Sequence, residues 1–89
     1  MKKIKTFTLM NKLGLHARAA AKIVNTSSKY DSRVFLEKDG KKINGKSILD
    51  ILTLACPMGS LITVEADGVD ADDAMRELEE LVENKFGEE

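Results

Sequence analysis

Each periodic stretch of this chain is apolar on one side only, and the period switches repeatedly between that of a strand and that of a helix. Lys5-Thr6-Phe7-Thr8-Leu9 alternates, with Phe7 and Leu9 on one face. Asn11 to Leu15 reads as a loop turning at Gly14. From His16 to about Lys29 the pattern is helical, with Ala20, Ile23, Val24 and Ser27 on one stripe. Ser32 to Lys38 alternates again, with Val34 and Leu36 inward. Asp39-Gly40 before Lys41–Asn44 is a strong hairpin signal. Ser47 is placed to cap a second helix, with Ile48, Ile51, Leu52 and Ala55 as its stripe and Pro57 and Gly59 as its stop. Leu61 to Ala66 is a fourth strand, with Ile62, Val64 and Ala66 on one face. Asp70 is placed to cap a last helix whose stripe is Ala71, Ala74, Leu78, Leu81 and Val82 and which Gly87 ends. The order is β-α-β-β-α-β-α. One-sided strands and one-sided helices bury their apolar faces most simply as one sheet with the helices layered on one side of it.

With 89 residues there is room for one core, so residues 1–89 are expected to form a single domain. A content of 43% hydrophobic and 33% charged residues fits a globule and excludes a disordered chain. One cysteine and one histidine exclude a disulfide framework and a Cys/His zinc site. No metal or cofactor is expected. No apolar run approaches the roughly 18 residues of a membrane span, and Met1-Lys2-Lys3-Ile4-Lys5 is basic without the apolar stretch of a signal peptide. The expectation is a cytoplasmic protein, not inserted in a membrane. The net charge of −1 conceals an asymmetry: residues 1–46 carry 12 Lys/Arg against 3 Asp/Glu, and residues 47–89 carry 2 against 12. Either the basic half presents a surface to an acidic partner, or the two halves neutralise each other within one fold. With Phe7 the only aromatic near a basic cluster, a base-stacking surface for nucleic acid is not expected.

Two segments suggest chemistry. Gly40-Lys41-Lys42-Ile43-Asn44-Gly45-Lys46-Ser47 satisfies the G-x-x-x-x-G-K-S pattern, but its first glycine sits in a hairpin signal and its middle reads as a strand. Extended backbone cannot converge its N–H groups on a phosphate, so nucleotide hydrolysis is not expected. Gly14-Leu15-His16-Ala17-Arg18 places the only histidine where a loop becomes a helix. There, unpaired N–H groups and the helix dipole favour an anion. A neutral imidazole nitrogen can accept a phosphoryl group, and Arg18, with Lys22 nearby, can hold its oxygens. The plainer reading is a helix-start histidine with a solvated ring.

Gly14-Leu15-His16-Ala17-Arg18-Ala19-Ala20-Ala21 resembles the active-site signature of the histidine-containing phosphocarrier proteins, the HPr family of the bacterial phosphoenolpyruvate-dependent phosphotransferase system. Gly45-Lys46-Ser47-Ile48 resembles that family's second signature, and Gly68-Val69-Asp70-Ala71 the start of its last helix. The spacing matches throughout. The resemblance implies an α+β open-faced sandwich: a four-stranded antiparallel sheet covered on one face by three helices. It implies a carrier and not an enzyme. His16 would be phosphorylated on Nδ1 by enzyme I, Arg18 would steady the phosphate, and an enzyme IIA-type domain would receive it in sugar transport. In part of the family a dedicated HPr serine kinase phosphorylates the residue matching Ser47, whose plainer role is the helix cap. The family usually has proline where this chain has Ala19, which bears on the rigidity of the site and its choice of partners.

Helix two has more apolar residues than one stripe needs. Leu49 and Leu52 are expected outward, forming with Ala17, Ala21, Arg18, Lys22 and Lys46 an apolar centre with a basic rim for docking. Cys56 reads as a small buried space-filler. Glu77, Glu79, Glu80, Glu83, Glu88 and Glu89 read as a solvated helix face and a frayed end. A monomer is the default. Two alternatives stand beside the carrier: a regulatory protein of a nitrogen-related or catabolite-control branch, in which phosphorylation mainly selects partners, and a small-ligand-binding sandwich without phosphorylation.

Overall fold

The computed structural model describes residues 1–88. The elements are β1 (Lys2–Thr8), α1 (Ala17–Ser27), β2 (Arg33–Lys38), β3 (Lys41–Asn44), α2 (Ile48–Leu52), β4 (Leu61–Asp67) and α3 (Ala71–Glu83), followed by a 3-10 turn at Lys85–Gly87. The strands form one antiparallel sheet in the order β1-β4-β2-β3. This is the expected element order and sheet.

Strand alternation sets the sheet's inner face. Val34, Leu36, Ile62, Val64 and Ala66 are buried, and their neighbours along each strand are half-buried or exposed. The helices supply Ala19, Ala20, Ile23, Ile51, Ala71, Ala74, Met75, Leu78 and Val82 to the same core. Asp39 (φ 53°) and Gly40 (φ 84°) both turn left-handed, as a two-residue hairpin requires. Lys41–Asn44 then pairs with β2, so the G-x-x-x-x-G-K-S segment is a hairpin arm and not a phosphate cradle.

Three local expectations change. First, α2 is only five residues long. Thr53 closes it, its hydroxyl donating to the Asp50 carbonyl at 2.6 Å, and Ala55 turns left-handed (φ 51°), so Ala55 leaves the stripe. Ile48 is likewise exposed, and Ile51 is the one α2 residue that is buried. Second, Asp70 flanks α3 without capping it by its side chain. Its carboxylate instead accepts from the Ser32 N–H (2.9 Å), the Ser32 hydroxyl (2.5 Å) and the Asp31 N–H (2.8 Å). The carboxylate thus satisfies the backbone entering β2 rather than the helix start. Third, α3 ends at Glu83, before Gly87. Lys85, Phe86 and Gly87 then turn left-handed in succession (φ 54°, 56° and 74°).

Each non-glycine residue held left-handed costs roughly 1–2 kcal/mol. Phe86 offsets this by burial: it is 1% exposed, the largest of the fully buried side chains. Removing a buried phenylalanine ring costs about 3–5 kcal/mol in transfer energy and cavity. Phe86→Ala should therefore lower the urea midpoint strongly, by an unfolding free energy on the order of 3 kcal/mol, in equilibrium denaturation followed by circular dichroism.

Candidate functional site

The segment before α1 fixes the position of the histidine. Gly14 adopts φ +63°, and a Cβ there would lie 2.1 Å from the Cys56 carbonyl oxygen. That same carbonyl accepts the Leu15 N–H at 2.9 Å, binding the loop to the stretch after α2. Asn11, fully buried, donates its side-chain amide to the Gly14 carbonyl at 2.8 Å. The chain thus reaches His16 in extended conformation (φ −86°, ψ 179°), and His16 is the N-cap of α1.

Histidine is not a favoured cap by propensity, yet the ring does the work of one. Nδ1 accepts the Arg18 N–H at 3.3 Å. Nε2, on the other side of the ring, meets Oε2 of Glu88. Because Nδ1 accepts, it carries no proton, and the neutral ring must hold its proton on Nε2. The side chain of His16 is 23% exposed.

Glu88 corrects the expectation of a frayed acidic end. It accepts from the Asn11 amide at 3.0 Å, bonds His16 and lies 3.9 Å from Nε of Arg18. The Asn11 amide most of all, with His16 and Arg18 adding, holds its carboxyl below the usual range against the opposing effect of desolvation. The signal that could have located it is the aromatic Phe86 beyond the end of an amphipathic helix, an anchor that a frayed end would not need. Glu77 and Glu79 are also engaged, the first by Lys29 and Tyr30 and the second by Lys5 at 2.7 Å. Glu80 and Glu83 are exposed, as expected. Glu89 lies outside the described residues.

The other predicted site residues fall as follows. Arg18 is exposed beside His16, and Ala17 is exposed and Ala21 half-buried on α1. Ala19 is fully buried, and α1 runs unbroken through it. Lys22 turns its ammonium to the Phe86 carbonyl, and Lys46 donates to the Tyr30 carbonyl at 2.8 Å, so both cations are already committed to backbone partners. Lys12, Leu13, Arg18, Lys22, Gly87 and Glu88 line one depression beside the ring. Ser47 is the N-cap of α2, accepting the Asp50 N–H at 3.2 Å. Leu49 is 78% exposed and Leu52 38% exposed, as expected for an outward pair. Cys56 is a free, buried thiol whose pKa burial raises. Among the described residues, no cluster of three or more His, Cys, Asp or Glu could hold a metal ion, and no helix is long and apolar enough to cross a membrane.

An open-faced sandwich with a lone histidine capping its first helix, next to an arginine, matches one class of protein. The family model described as the phosphorylation site of the phosphotransferase-system HPr component matches residues 3–84, and the chain belongs to the HPr family of phosphocarriers, which are carriers and not enzymes. It is similar to the phosphocarrier protein HPr of Xylella fastidiosa strain Temecula1, 49% identical over 82 residues and 92% of each chain. The crystal structure of HPr from Thermoanaerobacter tengcongensis superposes with a TM-score of 0.94, at 46% identity and 98% coverage of both chains. Crh, the Bacillus subtilis catabolite repression HPr, superposes less closely, at a TM-score of 0.71 and 40% identity, covering 92% of this chain and 95% of that one.

Among the described residues, three carboxylates are held below their ordinary range by hydrogen bonds. They are Asp70 (Ser32 hydroxyl first, then the Asp31 N–H), Glu77 (Lys29, then Tyr30) and Glu88. A lowered folded value means that the unfolded chain binds protons first. The stabilisation is therefore complete above the ordinary carboxylate range of about 4 and is lost as pH falls through the lower folded values. Thermal melts from pH 7 to pH 2 should show the melting temperature falling below about pH 4, and Asp70→Asn should be less stable at pH 7 yet less sensitive to acid.

Proposed function

We propose that His16 accepts a phosphoryl group on Nδ1 from enzyme I and passes it to an enzyme IIA-type acceptor in the cytoplasm. The observation that carries this reading is the direction of the ring. The unprotonated nitrogen faces the first N–H groups of α1, where the helix dipole and unpaired donors favour an anion. A phosphoryl group on Nδ1 would displace the Arg18 N–H from the nitrogen and take it on an oxygen. Arg18 would add charge-assisted hydrogen bonds from its exposed guanidinium. Nε2 is turned to Glu88, which leaves the Nδ1 lone pair as the nucleophile once the Arg18 N–H moves aside.

Docking is assigned to Ala17 and Ala21 on α1 and to Leu49 and Leu52 on α2, two helices that pack side by side. Lys22 and Lys46 border this patch through their stems, and Arg18 adds an exposed guanidinium beside Glu88. Transient partners suit such a surface, with an apolar centre and a polar rim. All these residues lie on one protomer, so the reading requires only a monomer. Ser47 is assigned a second role as the target of an HPr serine kinase. Its hydroxyl stands at the start of α2, two residues from Leu49, where a phosphate would bring about two negative charges to the docking face. A regulatory protein, in which phosphorylation at His16 or Ser47 mainly selects partners, would use the same ring orientation and differs in making onward transfer minor.

Incubation with enzyme I and phosphoenolpyruvate should add one acid-labile phosphoryl group, seen by intact mass and by phosphorus NMR as an Nδ1 phosphohistidine. His16→Ala should abolish it, and undiminished labelling of that variant would end the proposal. Leu49→Ala should leave stability within about 0.5 kcal/mol of wild type, as an exposed substitution does. The same variant should raise the KM for phosphorylation by enzyme I severalfold with little change in kcat.

A further inference from the structure

Glu88 reaches the ring from a segment whose path is specified by several independent contacts. Phe86 is buried beneath it, the Lys22 ammonium bonds the Phe86 carbonyl, and Lys85, Phe86 and Gly87 are held left-handed. At the end of this path the carboxylate is itself placed by two groups: Oε1 takes the Asn11 amide at 3.0 Å, and Oε2 meets Nε2 of His16. Asn11 in turn is fully buried and anchored to the Gly14 carbonyl. The Glu88 side chain is 11% exposed, so water competes little for it. Chain conformation, a buried aromatic, a lysine and an asparagine converge to bring one carboxylate to the only histidine.

We propose that Glu88 is a positioning residue for phosphoryl transfer. It holds the His16 proton on Nε2 and orients the ring so that the Nδ1 lone pair faces the Arg18 N–H at the helix start. The inference rests on the reading of His16 as the acceptor. The two ring nitrogens point in divergent directions, so a carboxylate on Nε2 does not occupy the place of a phosphate on Nδ1. In the transfer, the Nδ1 lone pair forms the N–P bond while the bond from phosphorus to the donor protein breaks, its electron pair leaving with the donor. The ring already carries the Nε2 proton and therefore becomes cationic. Glu88 faces that new charge, and this favours acceptance. When the phosphoryl group leaves for the next protein, the electron pair of the N–P bond returns to Nδ1 and the Nε2–H tautomer is restored with no proton exchanged. An orienting carboxylate on the far nitrogen of a reacting imidazole is a recurrent device, and its removal acts on both tautomer and orientation.

The test uses the full chain with Glu88→Gln, Glu88→Ala and, as a control on the exposed end of α3, Glu83→Gln. Glutamine keeps the shape but offers both a donor and an acceptor, so it no longer selects the Nε2–H form. Nitrogen-15 NMR of the unphosphorylated ring, at a pH where it is neutral, reads the tautomer directly. Single-turnover phosphorylation by phospho-enzyme I reads the rate. Wild type and Glu83→Gln should show one Nε2–H species and equal rates. Glu88→Gln and Glu88→Ala should show mixed tautomers, an unchanged melting midpoint at neutral pH within a few degrees, and acceptance slowed about tenfold, by analogy with the low end of the cost of removing the carboxylate partner of a metal-bound histidine. An unchanged ring spectrum, or a rate equal to or above wild type, overturns the proposal. If wild type takes no phosphoryl group on His16, the reading of His16 as acceptor fails instead, while the ring spectra still decide whether Glu88 sets the tautomer.

Discussion

The hydrogen bond from the Leu15 N–H to the Cys56 carbonyl, 2.9 Å long, is the constraint on which the site depends. It ties the loop before α1 to the irregular stretch after α2, and through it the two helices acquire a common front edge. The close approach beside it excludes a side chain at Gly14. Ala55 turns left-handed, and the chain then passes with Cys56 and Pro57 against the backbone of Gly14. Given that contact, His16 has little choice but to stand at the first turn of α1 with its ring on the exposed N–H groups. The same loop carries Asn11, which ties the histidine's neighbourhood to the segment after α3. Three parts of the chain that are remote in sequence therefore meet at one imidazole.

The sheet was readable from the residues alone because strand alternation is a local property. Val34, Leu36, Ile62, Val64 and Ala66 each announce their side of the sheet within a few residues, and Asp39-Gly40 specifies its turn by the same local conformational logic. The placement of His16 at a helix start was also legible, since glycine, an apolar residue and then a helical stripe mark the boundary. What was not legible depends on competition between distant groups. Asp70 had the right type and place to cap α3, but Ser32 and the backbone around it offered three donors at better geometry. Glu88 looked like one more solvated acid. Its role depends on three consecutive left-handed residues and on where Phe86 finds a cavity, neither of which a periodicity can express.

The charge asymmetry resolves the same way. Lys3 pairs with Asp72, Lys5 with Glu79, Lys29 with Glu77 and Lys42 with Glu65, at 2.5–3.1 Å, each joining the basic half of the chain to the acidic half. The halves neutralise each other across the fold rather than presenting two opposed faces. Such exposed pairs contribute little stability individually. Their effect here is to consume most of the lysines around the sheet and α3.

The placement of Glu88 has a practical consequence. Glu88 itself stands beside His16. The opposite end is otherwise placed: the Met1 carbonyl accepts the Gly68 N–H at the start of β1, a seven-residue strand away from the loop that leads into the site. A fluorophore attached at Glu88 would thus sit next to the His16 ring, whereas one attached at Met1 is carried at the other end of the sheet's edge strand.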